Sequence, residues 1–123
     1  MNDERPTILI IEDDVVAHQY FAAILDEEYD LEFVCDAKDA REALEEKTYA
    51  LIFVDLALPG DQNGIELTRY IRKEIGSSTP ILVITANVFP ENRSEVMAAG
   101  ANEFFKKPIL AGTLLKALNK YKV

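Results

Sequence analysis

Short apolar runs alternate along the chain with longer stretches in which apolar residues recur every three or four positions. The runs are Thr7–Ile11, Leu31–Cys35, Leu51–Val54, Pro80–Ile84 and Asn102–Phe105, each four or five residues long. Leu51–Val54, bounded by a turn signal, reads as a strand buried on both faces, Pro80–Ile84 as another buried strand, and Thr7–Ile11 as an apolar, β-branched strand. Acids flank Leu31–Cys35, which puts that strand at or near a sheet edge. Between the runs lie helical patterns. Ala17, Tyr20, Phe21 and Ile24 form the core face of a helix over about Val15–Leu25, with Asp14, Val15, His18 and Ala22 on the other side. Asp36 or Lys38 opens a second helix through Ala40, Ala43 and Leu44, ending near Lys47. A third covers Gly64–Arg72, with Gly76 placed as a C-terminal cap. Pro90 opens a fourth and Gly100 stops it. The fifth carries Leu114, Leu118 and Tyr121 on its apolar side. Strands alternating with helices imply βαβ units, a parallel sheet and right-handed crossovers, an α/β fold.

Totals narrow the classes. The 123 residues suit one domain, expected over 1–123 with a flexible N-terminus over 1–6. A net charge of -9 argues against a general nucleic-acid binder or an anionic-membrane binder, either of which wants a basic patch. The polar start is not a secretory signal, and no apolar run approaches transmembrane length. Cys35 is the only cysteine, so no internal disulfide forms; it reads as a small buried hydrophobe. These features point to a reduced, cytoplasmic setting.

The candidate chemistry sits at the strand ends. The first strand runs into Glu12-Asp13-Asp14, the third into Asp55, the fourth into Thr85 and the fifth into Lys107. In a parallel sheet those ends share one edge, where ligands of open α/β sheets bind. Three carboxylates meeting there repel unless a cation sits among them, and a small set of hard oxygens suits Mg²⁺. A lysine and a hydroxyl opposite them suit phosphoryl oxygens. The ensemble fits transfer of a phosphoryl group onto an aspartate.

With these motifs in register, the sequence resembles a response-regulator receiver domain, the phospho-acceptor module of two-component signalling. Ile-Ile-Glu-Asp-Asp, Val-Asp-Leu-Ala-Leu-Pro-Gly, Ile-Thr-Ala and Phe-Phe-Lys-Lys-Pro occur in the family's order and spacing, from Ile8 to about Leu118. The resemblance implies a flavodoxin-like sheet of order 2-1-3-4-5, an order that belongs to that fold class and does not follow from periodicity. It implies Asp55 as phospho-acceptor, with Mg²⁺ held by Asp13, Asp55, the Ala57 backbone carbonyl and, mainly through water, Glu12. It assigns Lys107 to a phosphoryl oxygen, with a cis peptide to Pro108. Thr85 becomes the switch hydroxyl, Ala86 a small residue offering its N–H, and Phe104 the aromatic switch on an α4-β5-α5 face. The implied partner is a histidine kinase or a histidine phosphotransfer protein, docking beside the site at Val15, His18 and Ala22. No enzymatic turnover is expected beyond phosphoryl transfer to Asp55 and its hydrolysis. No stretch reads as an output domain.

Local departures and bland readings stand beside this. Six residues run from Pro59 to Gly64, one more than the commonest family spacing, and Gly60-Asp61-Gln62-Asn63 is the most flexible internal stretch by composition. Leu110 occupies a helix N-cap better served by a polar residue, so Leu110 and Leu115 read as exposed apolar positions. His18 reads as an exposed helix residue rather than a ligand, and Phe104 as either static core or switch. Ala57 is too small to shield a phosphoryl group, and with Asn87 it flanks the site; a short-lived phosphoaspartate is expected. The competing functions are a Mg²⁺-dependent phosphatase with an aspartyl nucleophile and a pseudo-receiver that only binds a partner. Such phosphatases carry an Asp-x-Asp nucleophile on the first strand and a cap; this chain has Glu12-Asp13-Asp14 and no room for a cap. A pseudo-receiver loses Asp55, Asp13, Lys107 or Thr85, and all four are present. No Gly-rich phosphate loop follows the first strand.

Overall fold

The computed structural model describes residues 5–60, 63–86 and 89–123. Strands β1 (Thr7–Ile11), β2 (Asp30–Val34), β3 (Leu51–Val54), β4 (Ile81–Thr85) and β5 (Glu103–Lys106) pair in parallel in the order β2-β1-β3-β4-β5. Helices α1 (Val15–Leu25), α2 (Ala37–Glu46), α3 (Gly64–Tyr70), α4 (Pro90–Ala99) and α5 (Ala111–Lys120) connect them. This is the expected flavodoxin-like α/β fold, with β2 at an edge.

The two-residue period of the strands sorts the core into two layers. Leu9, Ile11, Ile52, Val54, Ile81 and Val83 face α2, α3 and α4. Ile8, Ile10, Leu51, Phe53, Leu82 and Ile84 face α1 and α5, where Phe21, Leu25, Leu114 and Leu118 meet them. Every residue of β3 and β4 is buried, which is why these runs show no polar alternation.

Local signals set most boundaries. The Asp14 side chain accepts from the Val16 N–H and caps α1; Asp36 does the same for α2 through Asp39. Asn63 and Glu66 form a reciprocal capping box on α3. Beyond Tyr70 that helix continues as a π-helical turn, Ile71–Ile75, before Gly76 ends it in the left-handed region at φ 73°. The third helical segment therefore runs past the expected Arg72. Gly100 ends α4 with φ 119°. Strand β5 begins one residue later than expected, because the Asn102 side chain turns back to accept from the Ile81 N–H.

Several expectations change. Cys35 is exposed, since the chain leaves β2 at Val34. Tyr20 is 39% exposed and reaches across to donate its hydroxyl hydrogen bond to the Ile109 carbonyl, instead of filling the core. His18 is half-buried rather than exposed. Of the N-terminal stretch 1–6, residues 1–4 lie outside the described residues, while Arg5 donates to the Tyr29 carbonyl (2.6 Å) and Pro6 accepts from the Asp30 N–H (2.9 Å). The composition-based reading of 60–63 falls partly outside the described residues, at Asp61 and Gln62, as does Asn87. Leu110 (71%) and Leu115 (46%) are exposed as read, and Leu110 caps α5 without a side-chain hydrogen bond.

Candidate functional site

Strand hydrogen bonding carries on one residue past the strands and delivers the polar residues in register. The Glu12 N–H donates to Val34 O (2.9 Å), the Asp55 N–H to Ile11 O (3.1 Å) and the Lys107 N–H to Thr85 O (2.9 Å). The sheet itself therefore fixes where these backbones sit. Gly64 adds a second constraint on Asp55. A Cβ there would lie 2.5 Å from the Asp55 carbonyl oxygen, so only glycine lets α3 begin this close to the end of β3.

Glu12, Asp13 and Asp55 each offer a carboxylate oxygen within 4.8 Å of the others. Glu12 and Asp55 are buried and Asp13 is exposed. The Lys107 Nζ lies 2.6 Å from Glu12 Oε1 and 2.9 Å from Asp55 Oδ2, bridging the two buried carboxylates. The Asp55 Oδ1 accepts from the Ala57 N–H (3.1 Å), and Glu12 Oε2 from the Asp14 N–H (3.1 Å). Burial pushes the Glu12 carboxyl above its usual range, against the opposing pull of Lys107. For Lys107, burial alone would lower the ammonium's pKa, but Glu12 and Asp55 outweigh it and hold it above the ordinary lysine value. Three carboxylates against one ammonium leave two formal negative charges. That is the complement of a divalent cation, and the all-oxygen donor set fits a hard one.

Thr85 closes β4 and is fully buried, in register with Lys106 on β5. Ala86 follows it and is exposed. The Lys107–Pro108 peptide is cis, as expected. Phe104 is half-buried against the α2–α4 layer, and the Arg93 guanidinium of α4 lies 5.5 Å from its ring centroid. Phe104 is thus packed, with a cation over one face. Val15 and Val16 are exposed on α1. Next to them a groove of about 250 Å³ runs between α1 and the β5–α5 connection, lined by Val16, Ala17, Tyr20, Ile84 and Ile109.

Sequence reasoning placed Glu12, Asp13, Asp55, Thr85 and Lys107 at one edge, and the fold brings them there. It missed the Lys107–Glu12 pair, because nothing local to either residue signals the other. It also missed what His18 touches, since its neighbours come from other strands.

The response regulator receiver domain family matches residues 8–119. The chain is similar to the response regulator RppA of Synechocystis, with 37% identity over 114 residues, 90% of this chain and 48% of that protein. It is similar to the autoinducer 2 sensor kinase/phosphatase LuxQ of Vibrio harveyi, with 35% identity over 121 residues, 98% of this chain and 14% of that protein. The chain thus spans about half, or much less, of the curated relatives it matches. Among solved structures, the receiver domain of sensor histidine kinase PA1611 from Pseudomonas aeruginosa superposes with a TM-score of 0.84 at 31% identity, covering 95% of this chain and 97% of that one. That structure holds a magnesium ion coordinated in its active-site cleft. With its fold, its edge of convergent carboxylates and this match along nearly its whole length, the chain belongs to the response regulator receiver domain family of two-component signalling, and its Glu12, Asp13 and Asp55 pocket is consistent with a phospho-aspartate site.

Proposed function

We propose that Asp55 accepts a phosphoryl group from a phosphohistidine on a histidine kinase or phosphotransfer protein. The observation that carries this is the cluster itself: a buried aspartate at the end of β3, two further carboxylates within 4.8 Å, and Lys107 against Asp55. Mg²⁺ is the fitting cation. Asp13, Asp55 and the Ala57 carbonyl would hold it, with Glu12 acting through water. When bound, it neutralises the carboxylates and the oxygens of the incoming group. An Asp55 carboxylate oxygen forms the new O–P bond as the P–N bond breaks; the bond's electron pair stays on the donor's ring nitrogen, and because the other ring nitrogen already carries a proton, neutral imidazole leaves. Lys107, already oriented by two carboxylates, stays within reach of a phosphoryl oxygen, and the Ala86 N–H offers a second donor.

The modification adds nearly two negative charges and strong acceptors beside Thr85. Thr85 turns its hydroxyl toward them, Phe104 moves into the space released, and Arg93 loses its ring contact. The α4-β5-α5 face thereby changes shape, a two-state element biased by local charge. The partner docks on exposed Val15 and Val16 and the adjoining groove, with half-buried Ala22 further along the same helix. Among the described residues no helix is long and apolar enough to cross a membrane. We place the domain in the cytoplasm, where kinase phosphohistidines are made, and as a single unit over 1–123.

The deciding experiment is incubation with Mg²⁺ and acetyl phosphate, read by intact mass, for wild type and Asp55→Asn. A labile single-phosphoryl adduct on wild type alone supports the reading. An adduct on Asp55→Asn moves the acceptor elsewhere. No adduct, together with no Mg²⁺ binding, makes the domain a constitutive interaction module.

A further inference from the structure

His18 lies on α1, one turn beyond the acidic turn that β1 runs into, yet it does not point away from it. Its Nε2 is within hydrogen-bond distance of the Glu12 backbone carbonyl. Its ring rests on Phe33 of β2, with ring centroids 4.6 Å apart. A carbonyl only accepts, so Nε2 carries the proton, as a neutral imidazole tautomer or as imidazolium. The other end of the same residue is also tied to β2: the Glu12 N–H donates to Val34 O at 2.9 Å. Phe33 and Val34 thus hold Glu12 from both sides, one through the sheet and one through the histidine ring.

The Glu12 carbonyl belongs to the planar peptide that joins Glu12 to Asp13. Fixing that oxygen fixes the plane from which the Asp13 side chain departs. The restraint matters because the local charges push the other way. Glu12, Asp13 and Asp55 crowd within 4.8 Å, and the Lys107 ammonium is engaged with Glu12 and Asp55. Repulsion therefore favours swinging Asp13 outward. A hydrogen bond on its preceding peptide opposes that swing.

We propose that His18 is a positioning residue for the acidic site: through the Glu12 carbonyl it holds the Glu12–Asp13 peptide so that Asp13 meets a divalent cation in the geometry Asp55 requires. This rests on the cation site proposed above and adds a residue to it. It also changes the expected part of His18, from docking surface to internal tie.

Two variants separate the hydrogen bond from the ring contact. His18→Phe keeps an aromatic ring against Phe33 and loses the donor. His18→Gln loses the ring and keeps an N–H at comparable reach. Mg²⁺ titration by calorimetry should give about a tenfold weaker Kd for His18→Phe, the scale typical of losing a partner that orients a metal ligand, and near wild-type affinity for His18→Gln. The Asp13 amide nitrogen shares the Glu12–Asp13 peptide, so its NMR shift in metal-free protein reads the tie directly. It should move in His18→Phe and stay near the wild-type value in His18→Gln. Equal Mg²⁺ affinity in wild type and His18→Phe, or an unmoved Asp13 amide in His18→Phe, overturns the inference. The reverse order of the two variants overturns it as well, since packing would then be the role. Absence of Mg²⁺ binding in wild type would defeat the cation site itself and this positioning role with it, and the Asp13 amide would still report whether the tie exists.

Discussion

The two edges of the one sheet solve opposite problems. At the amino edge, where chains enter the strands, charge is spent on closing loops. Arg72 donates to Gly100 O (3.0 Å), Ser77 O (2.9 Å), Thr79 O (2.7 Å) and Asn102 Oδ1 (2.9 Å), and so gathers the segments entering β4 and β5. Arg5 donates to the carbonyls of Asp26 and Tyr29 ahead of β2. At the carboxyl edge, Glu12, Asp13 and Asp55 outnumber Lys107. A cation at the first edge satisfies the carbonyls of connecting loops. At the second edge, like charges are held together against their repulsion. Binding and chemistry belong at the edge that is left out of balance, because only there does an incoming cation or phosphoryl group gain more than it displaces.

The contrast between the edges is broken most easily at Arg72. Arg72→Ala should cost about 2–4 kcal/mol of stability, as four hydrogen bonds from one half-buried cationic fork are lost. Arg72→Lys should recover only part, since an ammonium lacks the planar fork. Denaturant melts check the loss, and acetyl phosphate labelling of the folded fraction should match wild type. Labelling lost with stability intact would mean the amino edge takes part in the chemistry.

Gly64 tests the join between fold and site. Gly64→Ala puts a Cβ 2.5 Å from Asp55 O and 2.9 Å from Leu56 Cα, both backbone atoms that yield little. We expect a cost of about 1–3 kcal/mol, the usual scale of overpacking, together with slower adduct formation as Asp55 shifts. A stability loss with an unchanged labelling rate would show that Asp55 tolerates the displacement.

The smallest effect concerns Glu103, held by Lys120 and by the Tyr121 hydroxyl (2.8 Å). Those partners keep its carboxyl below the ordinary glutamate range, against the push of burial. Its folded pKa is lower than its unfolded one, so the unfolded state takes up the proton first on acidification. The stabilisation is therefore present above the unfolded pKa and fades as pH falls through the folded one. Glu103→Gln should be slightly less stable than wild type at neutral pH, with the gap closing in acid and narrowing in high salt, because Lys120 is largely solvent-exposed. Thermal melts across pH check this; a gap that widens in acid would reverse the assignment.

The alternation of elements was legible from residues a few positions apart. Apolar period, the Asp36 cap, Gly76 and Gly100 all act within a turn or two, so local sequence carries their whole meaning. The strand-end acids, Thr85 and Lys107 were legible as a group because parallel strands send their ends to one edge. Local patterns misread Tyr20, His18 and Cys35, whose surroundings come from distant segments: Ile109 O for Tyr20, Phe33 and the Glu12 carbonyl for His18, and the exit from an edge strand for Cys35. The pairing of Lys107 with Glu12 as well as Asp55 belongs to the same class. It depends on β1 lying beside β3 and on β5 reaching the same edge by way of β4, an order set by which faces pack together across the whole sheet. Residue types and their order along the chain determined which chemistry was present. Only the tertiary packing decided which carboxylate the lysine shares, and which carbonyl the histidine holds.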